Sequence, residues 1–249
     1  MIKLAIKFSM ALVIMLWLSG CSSAPNLAAN AVPPLVDVPA PDEQLAIISG
    51  YADPWQGMNR RIYYFNAKAD QYLILPLVRG YRQVTPDIVE QGISNFFNNL
   101  AEVKTFLNAL LQLKPAIAAQ TLGRFVVNST IGVAGLVDVA TPIGIVEQNE
   151  DFGQTLGFWG LDSGPYLVLP LLGPSSLRDA TGFAFDTVAY QQAITELGIR
   201  GDDARYLNVL GAVDSRATLP FRYYASGSAF EYERLRLLYS KYREIQLAR

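Results

Sequence analysis

Residues 85–100 read TPDIVEQGISNFFNNL, and the spacing of their apolar side chains decides the fold class. Ile88, Val89, Ile93, Phe96, Phe97 and Leu100 recur at the three- and four-residue intervals of an α-helix. Asp87, Glu90, Gln91, Ser94, Asn95 and Asn98 occupy the opposite side. Thr85 is a capping residue type, and Pro86 suits a first helical turn, where a missing N–H is tolerated. The stretch predicts an amphipathic helix that opens at Pro86.

Similar signals lie on both sides of it. Downstream, Val103, Phe106, Leu107, Leu110 and Leu111 predict a further amphipathic helix ending near Lys114-Pro115. Another runs from about Pro115 to Asn128 through Leu122, Phe125 and Val126. Upstream, Asp53-Pro54 is expected to cap and open a helix with Trp55, Met58, Ile62 and Phe65 on one face. Gln56, Asn59, Arg60 and Asn66 lie elsewhere around it, and Pro76 and Gly80 interrupt the next apolar segment. Amphipathic helices in series with short breaks predict an all-α architecture.

The pattern changes after Asp151. Gly153, Gly157, Gly160, Gly164 and Gly173 fall in one stretch with Pro165, Pro170 and Pro174, a density unsuited to a helix interior. Leu156-Gly157-Phe158-Trp159 and Tyr166-Leu167-Val168-Leu169 flank Asp162-Ser163-Gly164-Pro165, which predicts an apolar hairpin or irregular loop. Ser176-Leu177-Arg178-Asp179 reads as a capping box opening a helix towards Gln191, and residues 202–219 read as helical. Ser228-Ala229-Phe230-Glu231 reads as a second capping box, followed by a helix with Leu235, Leu238, Tyr239 and Tyr242 on one side.

Composition bounds the chemistry. The 249 residues are 51% hydrophobic and only 17% charged, with net charge −2. Mean hydropathy is +0.21. No run in the body approaches the roughly 18–20 apolar residues of a membrane-crossing helix. The apolar excess therefore belongs in a large core or on amphipathic faces that meet lipid. No basic tract interleaved with aromatics occurs, which argues against nucleic acid. The chain has no histidine, so neither a Ser-His-Asp triad nor a His-ligated zinc site can form.

The N-terminus carries an address. Lys3 and Lys7 precede an apolar run, residues 8–18, of about 11 residues, the length of a signal-peptide core and too short to span a bilayer. Leu18-Ser19-Gly20-Cys21 ends it with the chain's single cysteine. This arrangement resembles the lipobox of bacterial lipoproteins, in which the cysteine thiol receives a diacylglycerol and, after cleavage, an N-acyl chain. Ser22 and Ser23 follow with no aspartate, which in enteric-type sorting implies the outer membrane. The expected organisation is a signal peptide over 1–20, a flexible tether rich in Pro and Ala over 21–50, and one helical domain over 51–249.

The body itself resembles the MlaA/VacJ family of outer-membrane phospholipid-transport lipoproteins. The matching segments begin with Asp53-Pro54-Trp55-Gln56-Gly57-Met58-Asn59-Arg60, Tyr64-Phe65-Asn66, Gly92-Ile93-Ser94-Asn95-Phe96 and Gly123-Arg124-Phe125. They continue through Asn128-Ser129-Thr130-Ile131-Gly132, Glu150-Asp151-Phe152-Gly153-Gln154-Thr155-Leu156-Gly157, Gly164-Pro165-Tyr166 and Leu177-Arg178-Asp179. The chain departs from the family at Ser228-Ala229-Phe230, where Asp-Pro-Tyr is usual.

The resemblance implies a ring of amphipathic helices in the inner leaflet of the outer membrane of a Gram-negative bacterium, on its periplasmic face, around a central hydrophilic channel. It implies withdrawal of mislocalised phospholipids and their transfer to a soluble periplasmic carrier of the MlaC type. It also implies association with trimeric porins, and no cofactor beyond the acyl chains on Cys21. The Gly-rich segment 156–169 resembles the family's loop beside the channel, and Phe65-Asn66 matches a deletion-sensitive position. Candidate channel or gate residues are Asn59, Arg60, Phe65, Asn66, Arg124, Leu156, Trp159, Tyr166, Arg178 and Asp179.

Each has a bland alternative. Phe96, Phe97 and Leu100 either meet acyl chains or pack in a core. Arg60, Arg124 and Arg178 either attract a phosphate headgroup or pair with Asp151 or Asp179 to hold the fold. Two other functions compete with passive transport: a porin-assembly lipoprotein that moves no lipid, and a serine lipid hydrolase. Against the hydrolase, Gly-x-Ser-x-Gly does not occur, and Ser163 lies in a turn without a lysine nearby. Replacing Cys21 with alanine is expected to leave the signal segment attached and to missort the chain, read as an uncleaved N-terminus by mass spectrometry and loss from the outer-membrane fraction.

Overall fold

The computed structural model describes residues 53–196 and 198–248. The signal segment, Cys21 and the tether lie outside the described residues. Helix α1 (Gln56–Ala69) passes through a π-turn (Asp70–Ile74) into α2 (Leu75–Val84). Helices α3 (Asp87–Leu111) and α4 (Pro115–Thr130) follow, then a 3-10 turn at Thr141–Ile143 and the short α5 (Phe152–Phe158). Strands β1 (Tyr166–Leu169) and β2 (Gly173–Ser176) lead directly into α6 (Leu177–Glu196). Helices α7 (Asp202–Thr218) and α8 (Glu231–Leu247) complete an all-α fold with one antiparallel hairpin.

The predicted helices form, with corrections at their joints. Asp53 does not cap α1; Trp55 occupies that position, and the Asp53 carboxylate reaches Asn59 (2.7 Å) and the Tyr232 hydroxyl (2.5 Å) instead. Pro76 and Gly80 do not break the helix. The π-turn before Pro76, in which the Leu75 N–H bonds the Asp70 carbonyl, supplies the extra backbone room that a proline ring needs. The segments 85–100 and 103–111 join into one 25-residue helix, because nothing between Leu100 and Val103 disfavours helix. The Thr85 side chain makes no cap bond, and Pro86 holds that position in extended conformation.

The hairpin differs more. Residues 152–158 are helical rather than extended, capped by the Asp151 carboxylate, which accepts the Gln154 N–H at 2.8 Å. The strand at Tyr166–Leu169 pairs forward with Gly173–Ser176, in register Tyr166 to Ser176, and turns at Pro170-Leu171-Leu172. Glycines in α5 serve close packing rather than a turn. A Cβ on Gly157 would stand 2.6 Å from the Leu247 side chain.

Burial runs against the usual order. The inward stripe of α3 is Asn99, Glu102, Thr105, Asn108 and Ala109, facing Ala118, Thr121, Arg124 and Asn128 of α4. In α6 it is Arg178, Asp179, Gly182 and Asp186, with Ile194 near its end, while Phe183, Phe185 and Val188 point outward. Ile88 and Val84 are each 76% exposed, and Trp55, Met58 and Phe65 of α1 are also exposed. Phe96, Phe97 and Leu100 are partly covered. Four residues form the apolar core cluster, Tyr63, Tyr166, Val168 and Tyr232, with Tyr223, Tyr224 and Tyr239 packed against it. Tyr63 meets Tyr223, Tyr224 and Tyr232 edge to face with centroids 5.1, 5.5 and 5.8 Å apart.

The backbones of α5 and α6 cross in close contact. A Cβ on Gly182 would fall 2.2 Å from the Gly153 nitrogen and 2.6 Å from its Cα. Backbone atoms cannot rotate away, so Gly182→Ala must separate the helices. We expect it to destabilise by about 1–3 kcal/mol. Gly57→Ala in α1, where a Cβ meets nothing within 4 Å, should be neutral to stabilising by about 0.5–1 kcal/mol. Thermal denaturation of the two variants in detergent checks both.

Candidate functional site

Asparagines on α1 hold the hairpin as a third strand would. The Asn59 amide donates to the Tyr166 carbonyl (3.0 Å), and its oxygen accepts the Val168 N–H (2.9 Å). About two turns on, Asn66 donates to the Leu169 carbonyl (2.9 Å) and accepts the Leu171 N–H (2.7 Å). Leu171 has φ of 64°, a conformation that costs a non-glycine residue about 1–2 kcal/mol, so Asn66 anchors the strained corner of the turn. Both asparagines are fully buried. Their neighbour Phe65 is 53% exposed and faces away from this contact.

Below the hairpin, Arg243 of α8 lies between two carboxylates. Its Nη1 and Nη2 reach Asp151 at 2.6 and 2.9 Å, while Nε and Nη2 reach Asp179 at 3.0 and 2.8 Å. Asp179 also accepts from the Tyr239 hydroxyl (2.7 Å) and Arg178 Nε (3.1 Å). Ser176 caps α6 by accepting the Asp179 N–H at 3.1 Å, which is the predicted half of the capping box. The reciprocal half is absent because the Asp179 carboxylate is turned to Arg243. Burial by itself pushes the Asp151 carboxyl up, but the hydrogen bonds and charge of Arg243 outweigh it and hold the group at about 2. Asp179 is likewise held down against its burial, chiefly by Arg243.

A cavity of about 400 Å³ opens beside this cluster, lined by Tyr166, Arg178 and Asp179 together with the 160–164 loop and α8 residues including Ser240, Arg243 and Leu247. Three of the sequence candidates thus meet at one place, and Asn59 fixes the backbone of Tyr166. The other candidates lie elsewhere. Leu156 is half-buried. Trp159 is exposed and donates its indole N–H to the Leu111 carbonyl at 3.2 Å. Arg60 pairs with Glu233 and lies 4.7 Å over the Tyr232 ring.

Arg124 is buried between α3 and α4. It bonds Glu102 at 2.6 Å and Thr141 at 3.0 Å, with Asp138 at 3.4 Å. The three arginines therefore serve different carboxylates, and only Arg178 pairs with one of the two foreseen, Asp179. The other foreseen carboxylate, Asp151, is held by Arg243. Arg243 was not visible as a site residue because its α8 neighbours suggested an apolar face, yet Leu238 and Tyr242 are exposed. Glu231 is no capping-box member either: it accepts from Tyr63 (2.6 Å) and Ser226 (2.6 Å) and ties the preceding loop to α1. Among the described residues no metal-ligating cluster occurs.

The chain is similar to known proteins in sequence and in fold. A family model described as MlaA lipoprotein matches residues 51–246. An uncharacterised protein of Rickettsia typhi is 34% identical over 175 residues, 69% of this chain and 68% of that protein. The Haemophilus influenzae intermembrane phospholipid transport system lipoprotein MlaA is 29% identical over 177 residues, 66% of this chain and 71% of its own length. A solved structure from work on the structural basis for maintenance of bacterial outer membrane lipid asymmetry superposes with a TM-score of 0.66 at 29% identity. It covers 79% of this chain and 99% of its own.

The Asp151 carboxyl predicts an acid response. Held at about 2, it binds its proton less readily in the folded chain than in the unfolded one. Its stabilisation is complete above about pH 4 and is lost as pH falls through about 2, an effect of about 2 kcal/mol. Circular dichroism of wild type and Asp151→Asn between pH 5 and 2 should show this loss in the wild type, with the variant weaker at neutral pH and flatter below it.

Proposed function

The chain belongs to the MlaA lipoprotein family, and from that premise we propose that it carries phospholipids out of the outer membrane to preserve lipid asymmetry. The observation that carries this reading is the inverted burial. Leaving a large apolar side chain in water rather than burying it forgoes about 1.5–3 kcal/mol. Val84, Ile88, Ile131, Val188 and Val209 are each at least 63% exposed, and many others are half exposed. Such a surface suits acyl chains. Among the described residues no helix is long and apolar enough to cross a membrane. Helices with one apolar and one polar face then lie along the bilayer, apolar side to lipid.

In this reading the helices ring a polar passage in the inner leaflet, and the protein faces the periplasm. Asn59, Asn66 and the hairpin they hold form part of the passage wall, together with Tyr166, Arg178 and Asp179. Arg60 and Arg124 brace the wall from within rather than touching lipid. Phospholipid taken from the outer leaflet passes to a periplasmic carrier of the MlaC type, and the lipoprotein associates with trimeric porins. Passage requires no covalent step, consistent with a chain that lacks histidine. The diacylglycerol and N-acyl chains on Cys21 provide the address and a second attachment, since one lipid signal alone binds only marginally.

Two measurements test this. A strain lacking the gene should expose phospholipid at its surface, and the wild-type chain should restore asymmetry; normal asymmetry with defective porin assembly would instead favour an assembly role. The body without residues 1–21 should still float with phospholipid vesicles. A body that stays in solution without lipid or detergent would count against embedding.

A further inference from the structure

The cavity beside the Asp179–Arg243 pair carries polar groups that the fold leaves unused. Arg178 is only 5% exposed. It donates Nε to Asp179 and Nη1 to the Leu161 carbonyl (3.3 Å), and its Nη2 has no hydrogen-bond partner among the described residues. The Ser240 hydroxyl, half-buried on the α8 wall, is likewise unbonded among them. At the rim, Asp162 is exposed in the loop with neither an ion pair nor a hydrogen bond among the described residues. Asp179 and Arg243 neutralise one another, and Glu244 has a rim partner in Lys241 at 2.9 Å.

The lining therefore offers one guanidinium edge at depth and one carboxylate at the mouth. A purely anionic group would meet Arg178 but be opposed by the unpaired carboxylate of Asp162. A group holding a phosphate and an ammonium together satisfies both ends: the phosphate accepts from Arg178 Nη2 and the Ser240 hydroxyl, and the ammonium pairs with Asp162. Leu161 and Leu247, also in the lining, give acyl chains an apolar exit. We propose that this cavity is a headgroup site selecting zwitterionic phosphate–ammonium phospholipids over anionic ones. The inference rests on the phospholipid-transport reading and adds headgroup selection to it.

The test titrates purified full chain in detergent with dihexanoyl phosphatidylethanolamine and dihexanoyl phosphatidylglycerol, which share acyl chains. The zwitterionic lipid should bind about fivefold tighter, the scale of one partly exposed ion pair. Asp162→Asn, at an exposed position with no structural bond, should abolish that preference, and Ser240→Ala should weaken both lipids alike. Equal affinities, a preference for the glycerol headgroup, an unchanged preference in Asp162→Asn, or no binding of either lipid would overturn the proposal. Glycerophosphoethanolamine without acyl chains should bind more weakly; binding as tight as the lipid would make this a site for a soluble headgroup and overturn the lipid assignment. Surface phospholipid in a complemented deletion strain reads transport separately. Restored asymmetry without headgroup preference removes this inference alone, whereas failure of the wild-type chain to restore asymmetry removes the transport reading.

Discussion

A guanidinium leaves water only where carboxylates and carbonyls replace its hydration, and this structure is organised around that requirement. Arg243 meets it with Asp151 and Asp179, joining the first turns of α5 and α6 to α8. Arg124 meets it with Glu102 between α3 and α4, and Arg216 with Asp70, clamped by two bonds of 2.7 and 2.8 Å between α7 and the π-turn. Because these pairs lie inside, each helix must present its polar side to its neighbours. The apolar sides are left facing outward as a consequence of where the charges are held.

This is also why the sequence was legible in part. Helical spacing around residues 85–100, the helix opening at Pro115 and the Ser176 cap were all visible, since each depends on local geometry. The direction of each helix was not. An amphipathic pattern is symmetric between its two sides, so periodicity alone cannot say that Asn99 and Glu102 go in while Ile88 goes out. The hints of the reversal were the apolar composition with few charges and the family resemblance, which implies a polar interior.

The site divides similarly. Asn59, Asn66, Tyr166, Arg178 and Asp179 were found through short family-like segments, and the structure gives them physical work: two asparagines holding a hairpin, and an arginine and aspartate beside a cavity. Arg243 and Glu231 escaped because their partners lie 92 and 168 residues away along the chain. The helix at 152–158 and the forward pairing of Tyr166–Leu169 were not legible, because Gly153 and Gly157 argue against a helix interior on propensity alone, when they are needed for close contact with Asp179 and Leu247.

The π-turn has a geometric consequence for the helix that contains it. Asn59, Tyr63, Asn66 and Asp70 are buried at the rhythm of 3.6 residues per turn, and a straight continuation would bring positions 73–74 and then 77 inward. Instead Leu77 is exposed and Val78 is 3% exposed, because the wider turn inserts a phase step of about 100°, one residue's worth of rotation. The helix thus carries two inward lines that do not coincide, the first aimed at the hairpin and the second at α7. Tightening that turn to α-helical geometry with the sequence unchanged would turn Leu77 towards α7 in place of Val78, whereas losing one residue between Asp70 and Ile74 would merge the two lines and leave Val78 facing inward.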